Sequence, residues 1–135
     1  MKKLKLEDIC LTIEQAKELE NLGISLNDSV FMLLKNGKVV PSNINQIDEW
    51  FNFYTVEINT LSNSEMLEML PRYIEVVDLK GKCRLAYLHV GKDWVCYTVG
   101  ETYLADGYVY NSYYYEFLRD AIFEMIKFLK TKKLL

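Results

Sequence analysis

Histidine and cysteine are the side chains of this sequence with the most direct access to catalytic or metal chemistry. His89 is the only histidine, which excludes H-E-x-x-H zinc sites and iron sites built on two histidines. The three cysteines, Cys10, Cys83 and Cys96, are widely spaced and contain no C-x-x-C pair, so they do not indicate a disulfide framework. We therefore predict no metal site, and we predict reduced thiols that act as small buried hydrophobes.

A nucleophilic cysteine needs a base within hydrogen-bond distance. If the turn near residue 91 centres on Gly91-Lys92, His89 faces Trp94 and Cys96 faces Tyr87 across two strands, so His89 is only diagonal to Cys96. This register predicts that His89 packs against its neighbours and that the thiols are mostly unreactive. A nucleophilic Cys96–His89 pair is the alternative.

Carboxylates are concentrated in residues 42–79, which carry seven acidic side chains and one basic one. Asp48 and Glu49 are adjacent on a predicted helix and point to different sides, while Glu65 and Glu68 occupy capping and solvent positions. The glycine-rich motifs of nucleotide sites are missing. We predict no catalytic residue and no cofactor.

Tyrosine is the residue whose placement is most unusual. Six of the ten tyrosines fall within thirteen residues: Tyr103, Tyr108, Tyr110, Tyr113, Tyr114 and Tyr115. Neighbouring helical residues point about 100° apart, so one buried side cannot hold them all. Packing within the chain, a protein interface and base stacking are the three alternatives. Base stacking has the least support, because residues 101–118 contain no lysine or arginine to hold phosphate.

Two capping boxes define the helices that would position these residues. Thr12 and Gln15 begin a helix over 13–22, which Gly23 ends. Ser62 and Glu65 begin a short helix that Pro71 ends. Between them, a second helix is predicted from a stripe of apolar residues: Ile47, Trp50, Phe51 and Tyr54.

Turn residues define the strands. Asn36-Gly37 predicts a two-residue hairpin loop, with Leu34 opposite Val39. A three-stranded antiparallel meander is predicted over 73–79, 83–90 and 93–99, and a further hairpin around Asp106-Gly107. A long amphipathic helix is predicted over 113–131.

Together these elements predict a single α+β domain over residues 1–135, with a mainly antiparallel sheet, a hairpin plus a three-stranded meander, covered by helices. No targeting signal and no apolar run long enough to span a bilayer is present, so we expect a cytoplasmic protein without a membrane partner.

Three blocks of the sequence carry a resemblance to other proteins: residues 11–24, Leu67-Glu68-Met69-Leu70-Pro71, and residues 120–129. They resemble uncharacterised small proteins encoded by bacteriophages and mobile elements of gut anaerobic bacteria. The shared motifs are a helix cap, a proline stop and an amphipathic helix. The resemblance implies a mobile-element origin and no particular chemistry.

These patterns favour a non-enzymatic protein-interaction module, such as a phage or mobile-element accessory factor. The module would use the tyrosine-rich segment to bind a protein partner or a second copy of itself. The alternative is a small enzyme or ligand-binding domain whose pocket is not visible in the sequence. Nucleic acid is disfavoured as a partner, because no basic face is apparent.

Overall fold

A computed structural model describes residues 4–42, 56–77, 80–99 and 109–135 of the chain. Over these residues the fold is α+β, with four helices and two antiparallel sheets of three and four strands, which confirms the predicted fold class. The chain forms two compact units, Met1–Met66 and Leu67–Leu135. None of the described helices is both long and apolar enough to cross a bilayer.

The first unit opens with two helices, α1 (Leu6–Ile9) and α2 (Ile13–Asn21). The predicted capping box at the start of α2 is confirmed, because Thr12 Oγ1 accepts a hydrogen bond from Gln15 N at 3.2 Å while Thr12 N donates to Gln15 Oε1 at 3.0 Å. Gly23 ends this segment with a φ of 88°, in the left-handed region. The short α1 was not predicted, since one turn of helix leaves no periodicity in the sequence.

Three strands follow in the order β2-β1-β3: β1 (Phe31–Leu34), β2 (Val39–Pro41) and β3 (Val56–Thr60). The predicted hairpin between β1 and β2 is present, but its register differs by one residue, because Leu33 and not Leu34 lies opposite Val39. β3 was not predicted. The predicted helix with the stripe Ile47, Trp50, Phe51 and Tyr54 lies outside the described residues.

The turn chemistry explains the register of this hairpin. A two-residue type I′ loop needs positive φ at both central residues, and here only Gly37 has it, at 85°. Asn36 Oδ1 instead accepts a hydrogen bond from Lys38 N at 3.0 Å, and Leu34 N donates to Lys38 O at 2.9 Å. These bonds close a three-residue loop with glycine in the left-handed position.

The end of the first unit is fixed by hydrogen bonds between distant parts of the chain. Leu11 N donates to Leu61 O at 3.0 Å, and Thr60 Oγ1 donates to Leu11 O at 2.9 Å. The helix α3 (Asn63–Met69) follows, and its predicted capping box is confirmed. Ser62 N donates to Glu65 Oε1 at 3.1 Å, and Glu65 N donates to Ser62 Oγ at 3.3 Å.

The second unit is a four-stranded antiparallel sheet in sequence order, followed by a helix. The strands are β4 (Tyr73–Val77), β5 (Cys83–Val90), β6 (Trp94–Val99) and β7 (Val109–Tyr114), and the helix is α4 (Leu118–Thr131). The predicted meander over β4, β5 and β6 is confirmed. β6 and β7 both contact α4, and the buried Tyr97 hydroxyl donates to Pro71 O at 2.6 Å.

The boundary between β7 and α4 corrects the predicted C-terminal helix. The helix begins at Leu118 rather than residue 113, so Tyr113 and Tyr114 belong to a strand, and Phe117 is the N-cap residue. The run of tyrosines favours a strand because aromatic side chains fit a pleated, half-buried surface. The predicted hairpin around Asp106-Gly107 lies outside the described residues.

Candidate functional site

The four-stranded sheet of the second unit has two chemically different faces. Side chains alternate between them along each strand. Asn111 lies on the face against α4, since its Nδ2 is 4.0 Å from Met125 Sδ. We call the opposite face the tyrosine face. Its described positions are Tyr73, Glu75, Val77, Cys83, Leu85, Tyr87, His89, Trp94, Cys96, Thr98, Ser112 and Tyr114.

Large apolar and aromatic side chains on the tyrosine face are exposed to solvent. Tyr114 is 73% exposed, Val77 64%, Tyr73 53% and Leu85 38%. Tyr73 lies directly opposite Tyr87, with ring centroids 6.0 Å apart and an interplanar angle of 50°. Tyr73, Val77 and Tyr114 lie on the outer strands β4 and β7, whereas Cys96 and Thr98 on β6 between them are buried. Exposed apolar side chains of this size are typical of an interaction surface.

One end of the tyrosine face is organised around Trp94 and Tyr114, which lie opposite each other on β6 and β7. A hydrogen bond with the Asp93 carboxylate raises the pKa of Tyr114. The indole of Trp94 packs so closely on Gly91 that a Cβ at position 91 would overlap the ring. This packing limits the orientations available to the indole.

The centre of the tyrosine face holds the residues with the most reactive side chains. His89 lies directly opposite Cys96, which corrects the predicted pairs His89–Trp94 and Cys96–Tyr87. The turn centres on Lys92-Asp93, because Gly91 N donates to Trp94 O at 2.8 Å. The predicted turn was one residue too early, and each residue therefore faces a partner two positions further along β6.

The direct His89–Cys96 pairing brings a thiol and an imidazole to neighbouring positions, as a nucleophilic cysteine requires. Cys96 is nevertheless only 2% exposed. Burial raises the pKa of its thiol, which opposes formation of the reactive thiolate. The arrangement thus suits packing better than catalysis. Cys10 is also buried, whereas Cys83 is exposed, so the expectation of a buried thiol is wrong for Cys83.

The structure describes the side chains of three of the six predicted surface tyrosines, Tyr113, Tyr114 and Tyr115. Tyr103 and Tyr108 lie outside the described residues, and for Tyr110 only the backbone, within β7, is described. Tyr113 points to the helix side of the sheet, where its ring stacks on that of Tyr115 with centroids 6.5 Å apart. Burial and the nearby Glu124 carboxylate raise the pKa of Tyr115.

Among the members of the predicted set whose side chains the structure describes, Tyr114 lies on the tyrosine face. Tyr73, Tyr87 and Trp94 join it there and were not predicted as surface residues. The signal that could have identified Tyr73 is the alternation along 73–77, where exposed residues alternate with buried Ile74 and Val76. That alternation is hard to see in the sequence, because four of these five residues are apolar or aromatic.

A further candidate site lies within the first unit. It is a cleft of about 380 Å³ formed by the start of α2 and the β1–β2 hairpin. Apolar Leu11, Leu33 and Val39 contribute to its lining, together with charged groups at Glu14 and Lys35. Small-molecule sites have volumes of about 300–1,000 Å³ and combine an apolar lining with a few polar groups.

The described residues contain no group of three or more histidine, cysteine or carboxylate side chains that could hold a metal ion. In comparisons with known proteins, no family model, no curated protein and no solved structure matches the chain. The resemblance to mobile-element proteins accordingly stays a prediction.

Proposed function

We propose that this chain is a non-enzymatic protein-interaction module that binds its partner through the tyrosine face. The observation that carries the proposal is the exposure of Tyr73 and Tyr114 on the same face of a four-stranded sheet. Tyrosine offers a large contact area with few rotatable bonds, and its hydroxyl can hydrogen-bond at the edge of an interface.

The charges on the tyrosine face favour a protein partner over a nucleic acid. Its described strand positions include one acidic residue, Glu75, and no lysine or arginine. The Asp93 carboxylate adds negative charge beside Tyr114. Base stacking on aromatic rings is normally accompanied by cations that hold the phosphates. A protein surface needs no such cations, so the face suits a protein partner, including a second copy of the chain.

Photo-crosslinking tests this proposal directly. Benzoylphenylalanine is placed at position 114 or 73, and at position 30 as a control, because Val30 is a large apolar residue of the first unit that is 59% exposed. In an extract of the producing cells, we expect crosslinks to a defined protein, or to a second copy, from positions 114 and 73. Equal crosslinking from position 30, or none from the tyrosine face, would contradict the proposal.

A ligand-binding domain is the second candidate function, and the cleft of the first unit is the observation that favours it. A fragment screen followed by ¹H–¹⁵N NMR tests this candidate. Binding in the cleft should shift the amides of Lys35, Asn36 and Gly37 and leave those of the tyrosine face unchanged. A library without a fragment that shifts these three amides selectively would count against this candidate.

The resemblance of the three sequence blocks to phage and mobile-element proteins fits an accessory role in such an element. We therefore include in the proposal that the interaction module acts as an accessory factor of a phage or mobile element. Recovery of a crosslinked host protein in the photo-crosslinking experiment would support this role.

A further inference from the structure

The strand β4 forms one edge of the four-stranded sheet, and within the described residues it pairs with β5 alone. Leu88 N donates to Arg72 O at 2.9 Å, so Arg72, which precedes β4, and Leu88 of β5 form a hydrogen-bonded pair. In an antiparallel pair, hydrogen-bonded and non-hydrogen-bonded positions alternate. The backbone N–H and C=O groups of Tyr73, Glu75 and Val77 therefore point away from β5.

The β4 edge is both anchored and accessible. Ile74 and Val76 are each only 5% exposed and hold the strand in place, while Tyr73, Glu75 and Val77 are exposed. Native proteins commonly protect sheet edges with proline, lysine or a bulge. β4 contains no proline and no lysine, and its register with β5 is continuous over all five residues, so it has no bulge. Glu75 is its single charged side chain. An edge of this kind is a template for an added strand.

A second copy of β4 is a poor occupant for this edge. Two copies of β4 could pair antiparallel about a twofold axis. If Tyr73, Glu75 and Val77 all take part in that pairing, Glu75 lies directly opposite Glu75 of the second copy. Like charges at directly opposed positions destabilise a strand pair. A register shifted by two residues avoids this contact between glutamates. In that register, however, only two of the three residues Tyr73, Glu75 and Val77 face their counterparts in the second copy.

We infer that the β4 edge binds an extended segment of a different protein, with a lysine or arginine opposite Glu75 and apolar side chains opposite Tyr73 and Val77. The inference rests on the proposed function and names the chemistry of the partner. Backbone hydrogen bonds along the edge supply affinity, and the alternating side chains on the tyrosine face supply specificity.

A pair of synthetic peptides tests the inference. The first, acetyl-Thr-Val-Thr-Lys-Thr-Val-Thr-amide, carries the required alternation, and the second replaces its lysine with glutamate. In the free chain, we expect rapid hydrogen exchange at the amides of Glu75 and Val77 and slow exchange at those of Ile74 and Val76. The lysine peptide should slow exchange at Glu75 and Val77 and bind roughly tenfold more tightly than the glutamate peptide.

Three variants separate the backbone contribution from the charge contribution. Glu75→Lys should reverse the preference between the two peptides, while slow exchange at Ile74 shows that the strand remains folded. Val77→Pro removes an outward N–H without touching the ladder to β5, so it should weaken binding by at least roughly threefold relative to Val77→Thr, which keeps the N–H. An unreversed preference in Glu75→Lys, or equal losses in the two Val77 variants, would overturn the inference.

The same experiments distinguish failure of the inference from failure of the proposed function. Crosslinks from position 114 without peptide protection at Glu75 and Val77 would overturn the edge as the binding site and leave the interaction module intact. Peptide-induced shifts confined to Trp94 and Tyr114 would have the same meaning. Absence of both crosslinks and peptide binding would remove the inference together with the proposed function.

Discussion

We expect burial, rather than a neighbouring base, to govern cysteine reactivity in this chain. The thiol of Cys96 has His89 opposite it on the next strand, yet burial raises its pKa. Folding therefore favours the protonated thiol. The contribution of this preference to the free energy of unfolding is complete below the thiol pKa of the unfolded chain, about 8.5. That contribution is lost as the pH rises through the higher pKa of the folded chain.

Thiol titration should therefore resolve two classes of cysteine. At neutral pH we expect Cys83 to react at the rate of a free cysteine, because it is exposed, while Cys10 and Cys96 react only after unfolding. Cys83→Ser should abolish the reaction of the native chain with a thiol reagent. Rapid reaction of Cys96 in the native Cys83→Ser variant would instead revive a nucleophilic role for the Cys96–His89 pair.

Tyr97 provides a pH-dependent test at the same scale. Burial raises the pKa of its hydroxyl, which donates to Pro71 O at 2.6 Å. The neutral form is favoured on folding, so its contribution to stability is complete below about pH 10, where the unfolded chain retains the proton, and falls above it. Tyr97→Phe should cost about 1 kcal/mol of unfolding free energy at pH 7 and flatten the decline above pH 10.

Chemical denaturation at pH 7 and at alkaline pH measures both effects in Tyr97→Phe. Tyr73→Phe is a suitable control, since the Tyr73 ring is half exposed and should leave both quantities nearly unchanged. An alkaline decline of the same slope in wild type and Tyr97→Phe would mean that other groups dominate it.

At the scale of elements, the sequence predicted best where a side chain completes a local backbone motif. The capping boxes at Thr12 and Ser62 were predicted correctly because the cap and its partner lie three residues apart and need no distant contact. The register of both tested hairpins was wrong. Asn36-Gly37 is compatible with a three-residue loop as well as a two-residue one. The β5–β6 loop has two residues as expected, but it lies one position further along the chain. β3 pairs with β1, which lies far from it in the sequence, and no local sequence pattern predicted this strand.

The β5–β6 turn offers a test of close packing. A Cβ at Gly91 would overlap the Trp94 indole, so Gly91→Ala should lower the unfolding free energy by roughly 1–3 kcal/mol. The comparison is Gly37→Ala, where space is open but φ is positive, and backbone strain alone should cost on the order of 1 kcal/mol.

A double-mutant cycle identifies the cause at Gly91. If the indole is responsible, Trp94→Val should relieve most of the cost of Gly91→Ala, whereas it should leave the cost of Gly37→Ala unchanged. Additive effects of Gly91→Ala and Trp94→Val would show that the overlap is relaxed by other means.

At the scale of the whole molecule, the sequence predicted the α+β class but not the surface to which Tyr114 belongs. The role of the tyrosine-rich segment as a contact surface stays a prediction. The segment was expected to act as a unit because its tyrosines are neighbours in sequence. The pleat of β7 instead sends Tyr113 and Tyr114 to opposite faces. The partners of Tyr114 on the tyrosine face, Tyr73 and Trp94, come from distant parts of the sequence, so only the pairing of strands reveals the surface.

The adjacent residues Tyr113 and Tyr114 therefore form a matched pair for the last prediction. Tyr114 is largely exposed on the tyrosine face, and its truncation removes little packing within the chain. Tyr114→Ala should change the unfolding free energy by less than about 0.5 kcal/mol and weaken binding of the crosslinked partner by about 2 kcal/mol. For Tyr113→Ala we expect the reverse. The free energy of unfolding should fall by about 1–3 kcal/mol and the affinity for the partner should be nearly unchanged, because the Tyr113 ring is partly buried and stacked on Tyr115.

Denaturant unfolding measures the stability of the two variants, and sedimentation velocity measures their association with the partner. A lower melting temperature with unchanged association in Tyr114→Ala would assign this ring to the core and contradict the tyrosine face as a binding surface.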